Sequence, residues 1–161
     1  MSISLILENS WNSILKIQEE AYTEILPEDI NVLKSKWISS PKTCAVYLNN
    51  DNKILGYLLA HPWASEVPPK LHEKTQITNS INLYLHDLAL AQEARGKGIA
   101  KHLVTNLIDK AKSQGFAKIF LVAVQGADMF WAKFGFIVKP NALICPSYGD
   151  YSKLMTLELT T

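Results

Sequence analysis

The sequence predicts an α/β protein built on a mixed, mostly antiparallel sheet covered by helices. Three observations predict it. Short β-rich runs alternate with stretches whose apolar residues recur at helical spacing. The runs "TCAVYL" and "KILGYLLAH" are split only by "NNDN", the signature of a hairpin. A strand, a helix and a second strand follow one another from Ile81 to Val124, a unit that closes as a right-handed parallel crossover.

Each element has its own justification. "ISLIL", Ile3 to Leu7, reads as a first strand. Asn9 or Ser10 is placed to cap a helix over 10–23, where Trp11, Ile14, Leu15, Ile17, Ala21 and Tyr22 share a face. "PEDINVLKSKWISS" opens with Pro27 and two acids, a helix start. The hairpin follows. Residues 62–80, "PWASEVPPKLHEKTQITNS", break all periodicity and predict a long connection of the kind that often carries function. "INLYLHDLAL" returns to strand. Ile99, Leu103, Leu107, Ile108 and Ala111 mark a helix over 98–114, stopped by Gly115. "AKIFLVAV" is a buried strand and "GADMFWAKFG" a short helix. "FIVKP" and "YSKLMTLEL" are closing strands. The order is β-α-α-β-β-β-α-β-α-β-β.

A chain of 161 residues, 48% of them hydrophobic, is the size of one domain with its own core, here assigned to 1–161. A net charge of +1 with no long run of one sign argues against a nucleic-acid partner. No apolar run reaches the roughly 20 residues that span a bilayer, and "MSISLILENS" lacks the basic start of a signal peptide. The expectation is a cytoplasmic protein with no membrane partner; a homodimer is left open. Cys44 and Cys145 follow no metal-ligand spacing and read as small core residues, so no metal is expected.

The chemistry concentrates in "HDLALAQEARGKGIAKHL", His86 to Leu103. A strand ends, a tight turn follows and a helix opens. The first amides of a helix lack intrahelical partners and the dipole is positive there, so the turn suits an anion. Gly96 and Gly98 let a ligand approach the backbone, and Arg95 and Lys97 add charge. A diphosphate is the natural guest. The stretch is not a P-loop, because Lys97 stands between the glycines and no Ser or Thr follows. Nor is it a dinucleotide fingerprint, because "GKGIAK" lacks the third small residue.

"RGKGIA" resembles the R/Q-x-x-G-x-G/A signature of the GCN5-related N-acetyltransferase (GNAT) family, with Arg95, Gly98 and Ala100 in the defined places. "FWAKFGF" resembles that family's F-Y-x-K-x-G-F segment through Phe130, Lys133, Gly135 and Phe136. The element order is similar over nearly the whole chain. The resemblance implies an acyl-CoA N-acyltransferase fold, in which two parallel strands splay apart. It implies acetyl-CoA as co-substrate, with its pyrophosphate on Arg95, Gly96, Lys97, Gly98, Ile99 and Ala100 and its pantetheine arm along Leu88, Ala89 and Leu90. Phe130 and Trp131 complete the cofactor-binding set. An amide near Leu88 is placed to polarise the thioester carbonyl.

The implied reaction moves an acetyl group to a primary amine of a small molecule or peptide by direct attack in a ternary complex. The amine must lose a proton, directly or through water. Strict alternation puts Asn82, Tyr84, His86, Leu88 and Leu90 on one face of their strand, with Asp87 opposite. "LHDLAL" resembles family members whose histidine serves in proton removal. His86 is therefore the candidate base, with Tyr84 beside it, and Asp87 a structural acceptor. Trp131 stands where the family often has an acidic tyrosine, and indole is no practical acid. Tyr148 and Tyr151 are candidate substitutes. Gln125 and Gly126 replace an asparagine usual before the last helix. The first helices, the 62–80 loop and the closing strands are expected to form the acceptor pocket. Glu24, Glu28, Asp29, Glu66 and Glu73 lie in those regions. The competing readings are a non-catalytic acyl-CoA sensor, kept open by Trp131, and transfer of another acyl group on the same fold.

Overall fold

A computed structural model describes residues 2–159. Seven strands form one sheet: β1 Ser2–Ser4, β2 Ala45–Leu48, β3 Ile54–Pro62, β4 Asn82–Leu90, β5 Lys118–Ala123, β6 Ile137–Val138 and β7 Lys153–Glu158. Four helices flank it: α1 Trp11–Ala21, α2 Ile30–Ser39, α3 Ile99–Ser113 and α4 Asp128–Ala132. The spatial order is β1-β2-β3-β4-β5-β7-β6. β4 and β5 pair in parallel and all other neighbours are antiparallel. The predicted element order and mixed sheet are both present.

The helices form where the apolar stripes predicted. α1 buries Trp11, Ile14 and Ile17, and α3 buries Ile99, Leu103, Val104, Leu107 and Ala111. Gly56 of β3 lets α3 pack close. A Cβ there would stand 2.6 Å from Leu90 Cδ2 and 3.5 Å from Leu103 Cδ1. Leu90 therefore faces α3.

Several boundaries shift for local reasons. The first strand stops at Ser4, and Ile6 turns into the core instead. Ser10 precedes α1 but spends its Oγ on the Leu7 amide at 3.0 Å, outside the helix. Asp29, not Pro27, starts α2: its carboxylate accepts the Asn31 amide at 2.9 Å. The 63–81 connection carries no helix, yet it is tied down. The Thr75 amide bonds Ser35 Oγ at 2.8 Å, and the buried Lys36 ammonium donates to the Glu73 carbonyl at 3.1 Å and to Thr75 Oγ1. Cys44 is buried as expected, whereas Cys145 is half-buried outside the main core. Among the described residues no helix is long and apolar enough to cross a membrane.

Two departures from regularity in β4 position the site. β4 pairs with β5 only from Asn82 to Tyr84; beyond that, β5 stays with β7 and the two parallel strands separate. On its other side β4 skips a residue: Leu59 faces Asp87 and Ala60 faces Leu85, so His86 is the extra residue of a bulge. A single skipped residue inverts the parity of all that follows. Asp87 accordingly turns to the α1 side, where it meets Tyr22 and Tyr57, and Leu90 turns to α3. The face assignment made from strict alternation is corrected at Asp87, Leu88 and Leu90.

Candidate active site

The splay opens a groove of about 800 Å3. Leu88, Ala89 and Leu90 line one wall, with Val122 and Val124 of the β5 side opposite. Phe130 and Trp131 of α4 line it as well, and Arg95 and Ala100 stand at its mouth. Along this wall β4 has lost its β5 neighbour while it keeps β3, so apart from the Leu88 carbonyl, which Tyr22 reaches, the backbone edge toward β5 can pair with an extended guest.

At the mouth, Gly96 (φ +77°) and Gly98 (φ +76°) are both left-handed, and Gly98 is the N-cap of α3. A Cβ at either would meet nothing of the protein within 4 Å. The glycines thus serve the backbone turn and leave open space above it. The first helical bond runs from the His102 amide to the Gly98 carbonyl at 3.2 Å, so the amides of residues 99–101 precede it. Arg95 and Lys97 are exposed and make no ion pair among the described residues. Ile99 contributes its amide alone, because its side chain is core. A diphosphate fits this turn, and a chain bearing amides fits the wall behind it.

A second, smaller cleft of about 390 Å3 meets the first at Tyr22, Val122 and Val124, which line both. Its sides are apolar: Ile25, Leu26, Leu71 and the two valines. Gln18, Tyr22, Glu28, His86, Asp87 and Tyr148 supply its polar groups.

His86 and Glu28 form one unit. His86 Nε2 lies 2.6 Å from Glu28 Oε1, with both side chains nearly enclosed. Burial alone would push the Glu28 carboxyl up. The His86 charge and hydrogen bond, the His72 amide at 2.9 Å and the Lys36 ammonium outweigh it and bring Glu28 down to about 2. An ionised Glu28 can only accept, so Nε2 carries a hydrogen and Nδ1 holds the free lone pair of a neutral ring. Nδ1 has no hydrogen-bond partner among the described residues. Glu28 itself is fixed by Gln18, whose buried amide takes the Glu28 N–H at 2.9 Å and gives to its carbonyl at 3.1 Å. His61, 6.2 Å from the His86 ring, is pushed down to about 3, by burial first and the His86 charge second, and stays neutral.

The tyrosines are distributed differently from the sequence expectation. Tyr84 lines neither cleft; it sits in a small core with Phe120 and Leu154, its hydroxyl 3.0 Å from that of Tyr148. Tyr148 lines the smaller cleft but donates to the Pro69 carbonyl at 2.5 Å, so Tyr84 is the donor of their pair. Burial pushes Tyr148 up, which does not suit an acid. Tyr151 is exposed. The tyrosine that reaches both clefts is Tyr22, which the sequence showed only as part of a helical stripe. Its hydroxyl bonds Asp87 and lies 3.1 Å from the Leu88 carbonyl. Of the five acids singled out, Glu28 alone lines the smaller cleft. Asp29 caps a helix, Glu66 stands 3.9 Å from Lys139, and Glu24 and Glu73 are exposed.

Gln125 was legible as a replacement but not in its role. It sits at φ +52°, and its Oε1 accepts the Thr23 and Glu24 amides at 3.2 and 3.1 Å. It thereby ties the β5–α4 link to the end of α1, at the groove that Gln125 itself lines.

A sheet splayed between two parallel strands, with a helix N-terminus at the mouth of the gap, defines the N-acetyltransferase class of fold. The sequence profile of the acetyltransferase (GNAT) family matches residues 11–136, and the chain belongs to that family. Ard1 from Thermoplasma volcanium superposes with a TM-score of 0.77 at 14% identity, covering 99% of this chain and 98% of that one. The NatC complex bound to Gag peptide and CoA superposes at 0.76 with 22% identity, over 99% and 98%. The GphF GNAT-like decarboxylase in complex with isobutyryl-CoA superposes at 0.74 with 14% identity, over 99% and 100%. No curated protein matches the sequence.

Proposed function

We propose that the protein transfers the acetyl group of acetyl-CoA to a primary amine of a small molecule or peptide, by direct attack in a ternary complex. One observation carries the reading: a groove with a diphosphate seat at its mouth meets a second cleft that holds a buried histidine–glutamate pair. The pyrophosphate sits on the turn and helix start formed by Arg95, Gly96, Lys97, Gly98, Ile99 and Ala100, and the pantetheine arm runs along Leu88, Ala89 and Leu90. His86 takes the proton of the amine, directly or through water, and the fixed Glu28 charge stabilises the imidazolium that forms. Tyr84 and Tyr148 support the wall of the acceptor cleft and hold the 63–81 connection. The structural neighbours include complexes with a peptide and CoA and with isobutyryl-CoA, which supports the donor class.

The lining narrows the acceptor. Glu28 is engaged by His86 and the His72 amide, and Asp87 by Tyr22 and Tyr57, so neither carboxyl is placed to bind a polycation. Ile25, Leu26 and Leu71 favour an amine attached to an apolar group, and Leu26 is 77% exposed.

Trp131 supports a second reading, an acyl-CoA sensor. CoA release measured over amino-acid amides, short peptides, polyamines and aminoglycosides separates the two. Release with apolar amino-acid amides or peptides is expected. No release with any amine, while acetyl-CoA still raises the melting temperature, would establish the sensor.

A further inference from the structure

Tyr22 stands where the clefts meet, and its hydroxyl poses a counting problem. A phenol carries one hydrogen. The Tyr22 oxygen lies within reach of two acceptors, Asp87 Oδ1 and, at 3.1 Å, the Leu88 carbonyl. The other Asp87 oxygen, Oδ2, accepts from Tyr57 at 2.6 Å. If Asp87 were ionised it would have no hydrogen to give. One contact at Tyr22 would then set oxygen lone pairs against each other in a buried place. A protonated Asp87 removes the conflict. Its Oδ1–H donates to the Tyr22 oxygen, and the Tyr22 hydroxyl donates to the Leu88 carbonyl. Every polar atom along Tyr57, Asp87, Tyr22 and Leu88 then has a partner.

We propose that Asp87 is a carboxylic acid at neutral pH, and that Asp87 and Tyr22 together hold the proton that the leaving thiolate takes. The second half rests on the acetyl-transfer reading. The titratable groups facing Asp87 are Tyr22 from α1, Tyr57 from β3, His86 from its own strand and Glu28 from the α1–α2 connection. Burial pushes Asp87 above its ordinary range. The His86 charge and the two phenols oppose this, and the Glu28 charge adds to it. Burial, the largest cause, raises Tyr22 well above its ordinary value. Tyr22 therefore passes a proton on only as it receives one. Glu28 and Asp87 occupy opposite states for a physical reason: Glu28 faces the His86 N–H, the His72 amide and the Lys36 ammonium, whereas Asp87 faces two phenols.

The step balances. The amine attacks the thioester carbon, the C–S bond breaks, and sulfur takes the Tyr22 hydrogen. The Tyr22 oxygen takes the hydrogen of Asp87, which is left a carboxylate. The surplus proton of the new amide nitrogen goes to His86 and returns to Asp87 through solvent in the acceptor cleft. Amine and thioester become amide and thiol with no net proton. Tyr22 is the catalytic residue and Asp87 acts through it. The pair occupies the acid role that Trp131 cannot fill.

The resting protein tests the first half. Protein labelled with carbonyl-13C aspartate, compared with Asp87→Asn to assign the signal, is expected to show Asp87 at the protonated position at pH 7. An ionised shift at pH 7, or titration in the ordinary carboxylate range, overturns the proposal whether or not any amine is acetylated. Kinetics test the second half. Tyr22→Phe and Asp87→Asn are each expected to slow turnover of acetyl-CoA about 100-fold. With a truncated aryl thioester, whose thiolate leaves without a proton, both variants should approach the wild-type rate. An equal loss with both donors overturns the acid role. Absence of acetylation by the wild type would sink the acetyl-transfer reading and with it the second half, leaving the NMR result to decide the stored proton.

Discussion

The groove proposed for the donor and the cleft proposed for the acceptor share Tyr22 and two valines, yet they draw differently on backbone and side chains. The groove proposed for the donor presents the β4 backbone on one wall and, at its mouth, a turn in which glycine matters for its φ and its lack of a side chain, with Val122, Val124, Phe130 and Trp131 closing the rest. The acceptor cleft is a set of side chains brought from α1, the α1–α2 connection, β4, β5 and the segment before β7. Backbone groups are the same in every sequence, so the part of a groove made from them can persist while the rest of the chain diverges. A cleft made of side chains changes with each substitution.

If the division is correct, the acceptor side can be broken without touching the donor side. The largest effect is expected from His86→Gln. Glutamine still donates to Glu28, so no buried charge is left bare, but it takes no proton. Turnover should fall about 1,000-fold, roughly 4 kcal/mol in the barrier. The dissociation constant of CoA, measured by calorimetry, should stay within twofold of wild type. Unchanged turnover would remove His86 from the reaction.

The same division governs what the sequence reveals. Arg95, Gly96, Gly98 and Ala100 are adjacent in the chain, so their motif and their site are one object. The element order was readable for a related reason: the apolar stripes of α1 and α3 are local patterns. Glu28 and His86 are 58 residues apart, and nothing local in either announces the other. Tyr22 reads as one more apolar position of a helical stripe until Asp87, 65 residues on, is placed beneath it. The face of Asp87 was misread because a bulge is invisible to a period-two count. Whether β4 skips His86 depends on its register with β3, which no window on β4 contains.

Breaking the donor side alone is the converse test. Ala100 stands in the first turn of α3 and lines the groove. Ala100→Trp keeps a helix-compatible residue and fills the space a diphosphate needs. The CoA dissociation constant should rise about 100-fold, roughly 2.7 kcal/mol, with the circular dichroism spectrum preserved. Normal CoA affinity would contradict the cradle.

The smallest expected effect falls on the contact that holds the two clefts together. Gln125 closes the gap between the β5–α4 link and the end of α1 through its two amide hydrogen bonds. It does so at φ +52°, a conformation unfavourable for a side chain with a Cβ. Gln125→Ala would mix two effects, since alanine keeps the backbone penalty and loses the bonds. Gln125→Gly separates them, because glycine adopts the left-handed turn freely and makes no bond across the gap. The contact is solvent-exposed, so its loss should cost about 1 kcal/mol. Relief of the left-handed side chain offsets part of that, so the melting temperature should move by only a few degrees. The signature lies in which constant changes. α1 carries Tyr22 at its end and helps wall both clefts, so KM for both substrates should rise a few-fold together. A rise confined to the amine would mean that Gln125 belongs to the acceptor cleft and that the donor groove keeps its own shape unaided.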